Sequence, residues 1–295
     1  MTTLNPETLR RIRRLEIKTR RLVNTTFVGA YHSSFKGRGI AFDSVRPYEP
    51  GDDVRDLDWN VTARTGEPFI KKYAEERELT VLLVLDSSAS CFFGTVGQQK
   101  RELAAEVGAV LALTAISNND KVGLLIFSDR IEHYTPPRKG RNHVLRIIRD
   151  VLAPRPLDRG TDLALAIRTA SRLPTQRAIV FFISDFLAPR DEYARELLLS
   201  ARRNDVIALV LSDPRERNWP NASLISLRDA ETDERQWIDT ASRRWREDFS
   251  ARAARFAQMR DEALLRSGVD RVDIATDGDV VQALTRFFHR RAARQ

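Results

Sequence analysis

Residues 80–90 read Thr80-Val81-Leu82-Leu83-Val84-Leu85-Asp86-Ser87-Ser88-Ala89-Ser90. The first six are β-branched or leucine with no polar alternation, the pattern of a strand covered on both faces. A strand of that kind belongs to a parallel sheet, and a parallel sheet needs a helical crossover after it. Residues 98–116 supply one, with Leu103, Val107, Val110 and Leu111 at helical spacing.

The same alternation continues downstream. Apolar strands are predicted over 122–127, 178–183, 206–211 and 269–274, and a short one near 131–134. Helices are predicted over 142–152, 162–173, 191–203, 242–266 and 280–289, with a short hairpin in the less regular stretch 219–237. Strand and helix alternate through nearly two hundred residues, so the fold class is α/β: a doubly wound, mostly parallel sheet with helices on both faces. Upstream, 5–23 reads as an amphipathic helix with Leu9, Ile12, Leu15 and Leu22 along one side. A Gly-, Pro- and charge-rich stretch follows over 37–78, holding an extended piece at 68–73 and a turn at 48–52. The expected organisation is therefore an N-terminal helix and extension over 1–78, packed on an α/β domain over 79–295.

Sheets of this class bind ligands at the carboxyl ends of their strands. Three oxygen-rich groups fall there: Asp86, Ser88 and Ser90 after the first strand, Thr161 within Gly160-Thr161-Asp162, and Asp185 within Ser184-Asp185-Phe186. Each has an ordinary reading alone. Serine and aspartate shape turns, Thr161 and Asp162 suit a helix N-cap, and Asp185 suits a strand-end turn. All three in order, each at the correct end of its own element, favour a metal site. Two carboxylates and three hydroxyls are hard donors that suit Mg2+, with Mn2+ as its close substitute; zinc would want nitrogen or sulfur. Remaining positions would be water, and a carboxylate from another protein can displace one.

These five residues resemble the metal-ion-dependent adhesion site of von Willebrand factor A-type domains, position by position, over residues 79–274. A second resemblance lies upstream. Arg46-Pro47-Tyr48-Glu49-Pro50-Gly51-Asp52-Asp53-Val54-Arg55-Asp56-Leu57-Asp58-Trp59, then Ala63-Arg64, then Glu75-Glu76-Arg77-Glu78, is similar to the signature of the bacterial domain-of-unknown-function family fifty-eight. In that family the signature runs straight into an A-type domain. The resemblance implies a MoxR-type AAA+ ATPase as partner and a role in protein maturation or metal insertion. Cys91 stands where the family often has methionine, outside the ligand positions. Many members also carry transmembrane helices; the longest apolar runs here fall far below the roughly 18 residues a span requires.

The signature has two physical readings. Asp52, Asp53, Asp56 and Asp58 interleave with Arg46, Arg55 and Arg64. Clustered carboxylates can hold two hydrolytic ions. The plainer reading is a turn stabilised by Asp–Arg pairs with Trp59 packed against the A-type domain, and it is favoured because every aspartate has an arginine near in sequence and no histidine is close.

Composition narrows the remaining classes. With 42% hydrophobic and 31% charged residues among 295, the chain can bury a sizeable core. Its single cysteine, Cys91, excludes an internal disulfide. Residues 1–25 carry six arginines and no continuous apolar stretch, so no secretory signal is read and a cytoplasmic location is expected. The net charge of +8 is concentrated at the ends: +5 over 1–35 and +4 over 286–295, leaving about −1 for the rest. That distribution argues against a nucleic-acid surface, although binding of nucleic acid or an acidic polymer by the two basic ends stands as the alternative function. Enzyme motifs are absent: there is no phosphate-binding loop, no Gly-x-Ser-x-Gly elbow, and His32, His133, His143 and His289 fit no His-Glu-x-x-His pattern. The expectation is a non-enzymatic, metal-dependent interaction module that meets an acidic residue of a client.

Overall fold

The computed structural model describes residues 25–35, 41–74, 78–152, 160–228 and 234–294. The helix predicted over 5–23 and the Glu75-Glu76-Arg77 part of the signature lie outside the described residues. Chain order begins with α1 (Thr25–Ser34), β1 (Ala41–Pro47), α2 (Trp59–Thr65) and β2 (Phe69–Ala74). The alternating part follows with β3 (Thr80–Asp86), α3 (Lys100–Ser117), β4 (Lys121–Phe127), β5 (Ile131–Arg138) and α4 (Arg141–Leu152). Next come α5 (Leu163–Arg172), β6 (Ile179–Ser184), α6 (Arg190–Arg203) and β7 (Asp205–Ser212). The chain closes with the hairpin β8 (Leu224–Arg228) and β9 (Arg235–Asp239), then α7 (Arg243–Arg266), β10 (Asp270–Ala275) and α8 (Val280–Ala292).

Six strands form one sheet in the order β10-β7-β6-β3-β4-β5. All neighbours run parallel except β5, which pairs antiparallel at one edge. This is the doubly wound, mostly parallel architecture read from the sequence. The period of two along each strand divides the core in two. Val81, Leu83 and Leu85 of β3 join α1, α3, α4 and α8 on one face. Leu82 and Val84 join α5, α6 and α7 on the other. Each such side chain, fully buried, contributes roughly 1.5–3 kcal/mol against an extended chain. α3 is buried on every side from Leu103 to Ala115, because Ala, Val and Leu surround its whole circumference.

Three features depart from the sequence reading. Of the ten residues of α1, seven are Thr, Phe, Val, Gly or Ser, which have weak helical preference. It is held by tertiary contacts: Phe27, Tyr31 and Phe35 meet the Phe288 ring at 5.6, 5.4 and 5.9 Å between centroids. β5 runs on to Arg138, through Pro136 and Pro137, which an edge strand tolerates. Gly123 of β4 makes room for them, since a Cβ there would lie 2.9 Å from Pro137 Cγ.

The third concerns the signature. β1 and β2 pair antiparallel, and the intervening residues form a turn, a short 3-10 segment (Val54–Asp56) and α2. Arg46 grips Asp52 with two bonds of 2.7 and 2.6 Å, as the ion-pair reading requires. Asp53 and Asp58 instead accept backbone N–H groups at the starts of the 3-10 segment and α2. Trp59 is 68% exposed, so the expectation that it packs against the A-type domain is corrected. As the first residue of α2, directly after its cap, its direction is set by the helix start rather than by an apolar face. Among the described residues no three His, Cys, Asp or Glu side chains gather as a metal cluster, which removes support from a hydrolytic centre in the signature. Nor is any described helix long and apolar enough to cross a membrane.

Candidate metal site

β3 and β6 are neighbours whose connections leave in opposite directions, β3 through α3 to β4 and β6 through α6 to β7. Between their carboxyl ends lies a topological switch point, where such sheets leave a crevice. Asp86 ends β3, Ser184 ends β6, and Asp185 follows directly. Both aspartates are buried.

Asp86 organises the first loop. One carboxylate oxygen accepts the Ser88 N–H at 2.9 Å and folds the chain back. The other accepts the Ser184 hydroxyl at 2.7 Å across the switch point. A 3-10 turn over Ala89–Phe92 then brings the Ser88 and Ser90 hydroxyls within 3.1 Å of each other. Ser87, the serine out of alternation, is consumed structurally by donating to the Phe127 carbonyl at 2.8 Å. Cys91 is buried with its sulfur 3.5 Å from the Asp86 carbonyl oxygen, and burial pushes its thiol well above its usual range. Its side chain is packed inside the loop.

Asp185 is aimed by a strained turn. Phe186 has φ 53°, in the left-handed region that a bulky residue avoids. The strain is offset by complete burial of its ring, edge-on to Tyr193 of α6 at 6.2 Å. The turn lets one Asp185 oxygen accept the Leu187 N–H at 3.1 Å and the other accept Lys100 Nζ at 2.6 Å. Thr161 arrives from a third direction. Its neighbour Asp162 donates its N–H to the Ser128 carbonyl just past β4, at 2.8 Å, and caps α5 by accepting the Leu165 N–H, also at 2.8 Å. Thr161 thus stands at the same end of the sheet, one strand over from Asp86. No hydrogen bond joins it to the aspartates among the described residues.

The electrostatics follow from burial. Desolvation, and then the adjacent Asp185 charge, raise Asp86 to about 6, against the opposing pull of the Ser184 and Ser88 bonds. Two buried carboxylates side by side favour a cation near them. Lys100 Nζ supplies one charge, shared between Asp185 and Glu216 at 2.5 Å. Burial alone would lower its pKa; Asp185 and Glu216 outweigh this and hold it above the ordinary lysine value.

Lys100, Glu216 and Asp213 were not singled out by the sequence reading. Asp213, fully buried, accepts from the Thr95 N–H and hydroxyl at 2.8 and 2.6 Å and from the Thr276 hydroxyl at 2.8 Å. It ties the loop after β3 to the ends of β7 and β10. Its own N–H holds Glu216 at 2.9 Å. A lysine at the first position of an apolar helix, against the helix dipole, was the available signal.

The donor set fits a hard divalent cation. Asp86 and Asp185 bring two carboxylates, Ser88, Ser90 and Thr161 bring hydroxyls, and neither imidazole nor thiolate intrudes. Asp86 in particular lacks a cationic partner of its own among the described contacts.

Residues 44–259 match the family described as "Protein of unknown function DUF58". Uncharacterised proteins of Mycobacterium bovis and Mycobacterium tuberculosis are 32% identical over 287 residues, covering 96% of this chain and 89% of theirs. An aerotolerance-related membrane protein from Bacteroides fragilis superposes with a TM-score of 0.48 at 16% identity, over 74% of this chain and 100% of that one. A von Willebrand factor type A structure from Catenulispora acidiphila gives 0.36 at 12% identity, over 75% and 43%. With the profile spanning most of the chain and relatives matching nearly end to end, this protein belongs to the DUF58 family.

Proposed function

We propose that the chain is a non-enzymatic interaction module that binds an acidic residue of a partner through a divalent cation, Mg2+ or Mn2+. The observation that carries the reading is the juxtaposition of buried Asp86 and Asp185 at the switch point, with the Ser88 and Ser90 hydroxyls beside them. Asp86, Ser88, Ser90, Thr161 and Asp185 would hold the ion. Once bound, it would supply an electrophilic position open to a carboxylate from outside. The protein's own groups do the rest: Asp86 fixes the loop, and the turn at Phe186 fixes Asp185. The partner we propose from the family resemblance is a MoxR-type AAA+ ATPase, which would work with this chain on a client protein in maturation or complex assembly.

The alternative, an acidic-polymer binder using the basic ends, is weakened by one observation. Arg291, one of the four C-terminal arginines, is buried in ion pairs with Asp205 and Asp270.

The test is retention of the AAA+ ATPase on immobilised chain with Mg2+ and with EDTA, for wild type and for Ser88→Ala with Thr161→Ala. These substitutions remove hydroxyl donors and leave both buried carboxylates with their backbone and Ser184 partners. Loss of retention on chelation and in the double variant supports the reading. Retention indifferent to both would overturn it, and a steep salt dependence would favour the polymer reading.

A further inference from the structure

Lys100 is 1% exposed, a burial that lysine almost never shows without partners. It opens α3, where the helix dipole disfavours a positive charge. The sequence places it there at a cost in both desolvation and dipole energy. What it meets is specific: Asp185 at 2.6 Å on one side and Glu216 at 2.5 Å on the other. Glu216 is itself held by the Asp213 N–H at 2.9 Å, so the far anchor is fixed to the framework of β7. Asp185 is one of the two carboxylates proposed to hold the cation.

We infer that Lys100 is an internal counter-ion that competes with the divalent cation for Asp185, and that Glu216 sets the strength of this competition by drawing Lys100 away. The inference rests on the metal reading above. Lys100 and a divalent ion cannot both neutralise Asp185 at close range without repelling each other across the crevice. Loading the site therefore requires the ammonium to lean toward Glu216, and unloading returns it to Asp185. Asp185 then never stands without a cation. Affinity is reduced to a reversible range, and Glu216 acts as the positioning residue for the lysine.

The two partners of Lys100 give substitutions of opposite sign. Removing the ammonium in Lys100→Met leaves Asp185 to the metal alone, and Mn2+ should bind at least about tenfold more tightly. Removing the competing carboxylate in Glu216→Gln gives Lys100 wholly to Asp185, and Mn2+ should bind more weakly, by roughly three- to tenfold. Mn2+ affinity is read by electron paramagnetic resonance of the free ion and by the metal-induced rise in melting temperature. The metal should raise the melting temperature of Lys100→Met by more than that of wild type. Should Lys100→Met fail to fold, the direction of the Glu216→Gln change decides by itself. Equal affinities in wild type and a folded variant, or changes of the reverse sign, would overturn the counter-ion role while leaving the metal site standing. Absence of Mn2+ binding in all three proteins would remove the metal reading and this inference together.

Discussion

The two ends of the central sheet carry buried charges, and they are treated in opposite ways. At the amino end, Arg291 of α8 bonds Asp205 and Asp270 at 2.5 Å each, donates to the Ser34 carbonyl at 3.3 Å, and lies over the Phe35 ring at 4.9 Å. Asp120, just before β4, accepts from the Tyr31 hydroxyl and the Leu79 N–H at 3.0 Å each. Each of these groups points at a fixed partner, and together they fasten α1 and α8 to the strand starts. At the carboxyl end, Asp185 and Glu216 share Lys100, and Asp86 beside them has no cationic partner among the described contacts. Partnered groups mark the first as architecture, and a buried carboxylate without a cationic partner among the described contacts is what supports the cation site proposed above at the second. Both follow from the polarity of a parallel sheet, whose carboxyl ends face the loops that vary.

The largest effect expected from this contrast is at the amino end. Arg291→Ala would take the nearest cation from Asp205 and Asp270 and remove the stack on Phe35, costing about 3–5 kcal/mol. Urea unfolding followed by circular dichroism measures it. A loss below about 1 kcal/mol would mean that the saturated network contributes little, and the contrast between the ends would fail.

Asp86→Asn should act in the other direction in metal-free protein. A carboxylate raised to about 6 by burial and by Asp185 is destabilising when ionised, so its neutral isostere should add about 1–2 kcal/mol at pH 7.5. The same variant should lose Mn2+ binding. A variant that is both less stable and still metal-binding would break the comparison from the other side.

A pH series separates the ends more finely. Asp120 is raised to about 6, chiefly by burial, with the Leu79 and Tyr31 bonds opposing. A raised carboxyl favours the protonated folded state, so its contribution is full below the unfolded value near 3.8 and is lost as pH climbs through 6. Asp86 titrates in the same window with the same sign. Saturating Mg2+ should cancel the Asp86 share and leave that of Asp120, which Asp120→Asn alone should flatten. Identical pH profiles with and without Mg2+ would show that Asp86 does not meet the ion.

What the sequence could and could not disclose follows from distance along the chain. The strands were legible because 81–85, 179–183 and 206–211 are apolar without interruption, and only a strand covered on both faces has that need. Asp86 and Asp185 were legible because each directly follows such a run. Lys100 was hidden because its partners lie 85 and 116 residues away, and a lysine beside a helix start looks like a solvated one. α1 was hidden because its helicity is imposed by Phe288, across the whole domain. The extension of β5 through two prolines was hidden because only the missing side chain of Gly123 permits it.

Trp59 is the case in which a residue type misled, and it supplies the smallest expected effect. An aromatic beside a cap was expected to be covered, yet Asp58 accepts the Asn60 and Val61 N–H groups and fixes α2 in an orientation that leaves the indole in solvent. Trp59→Ala should change stability by less than about 0.5 kcal/mol, as surface positions generally do, whereas Asp58→Ala should cost about 1 kcal/mol by leaving the helix start uncapped. Both are read from the same thermal melts. A Trp59→Ala loss above about 2 kcal/mol would place the indole back in a packed interface and join the signature to the structural end of the molecule.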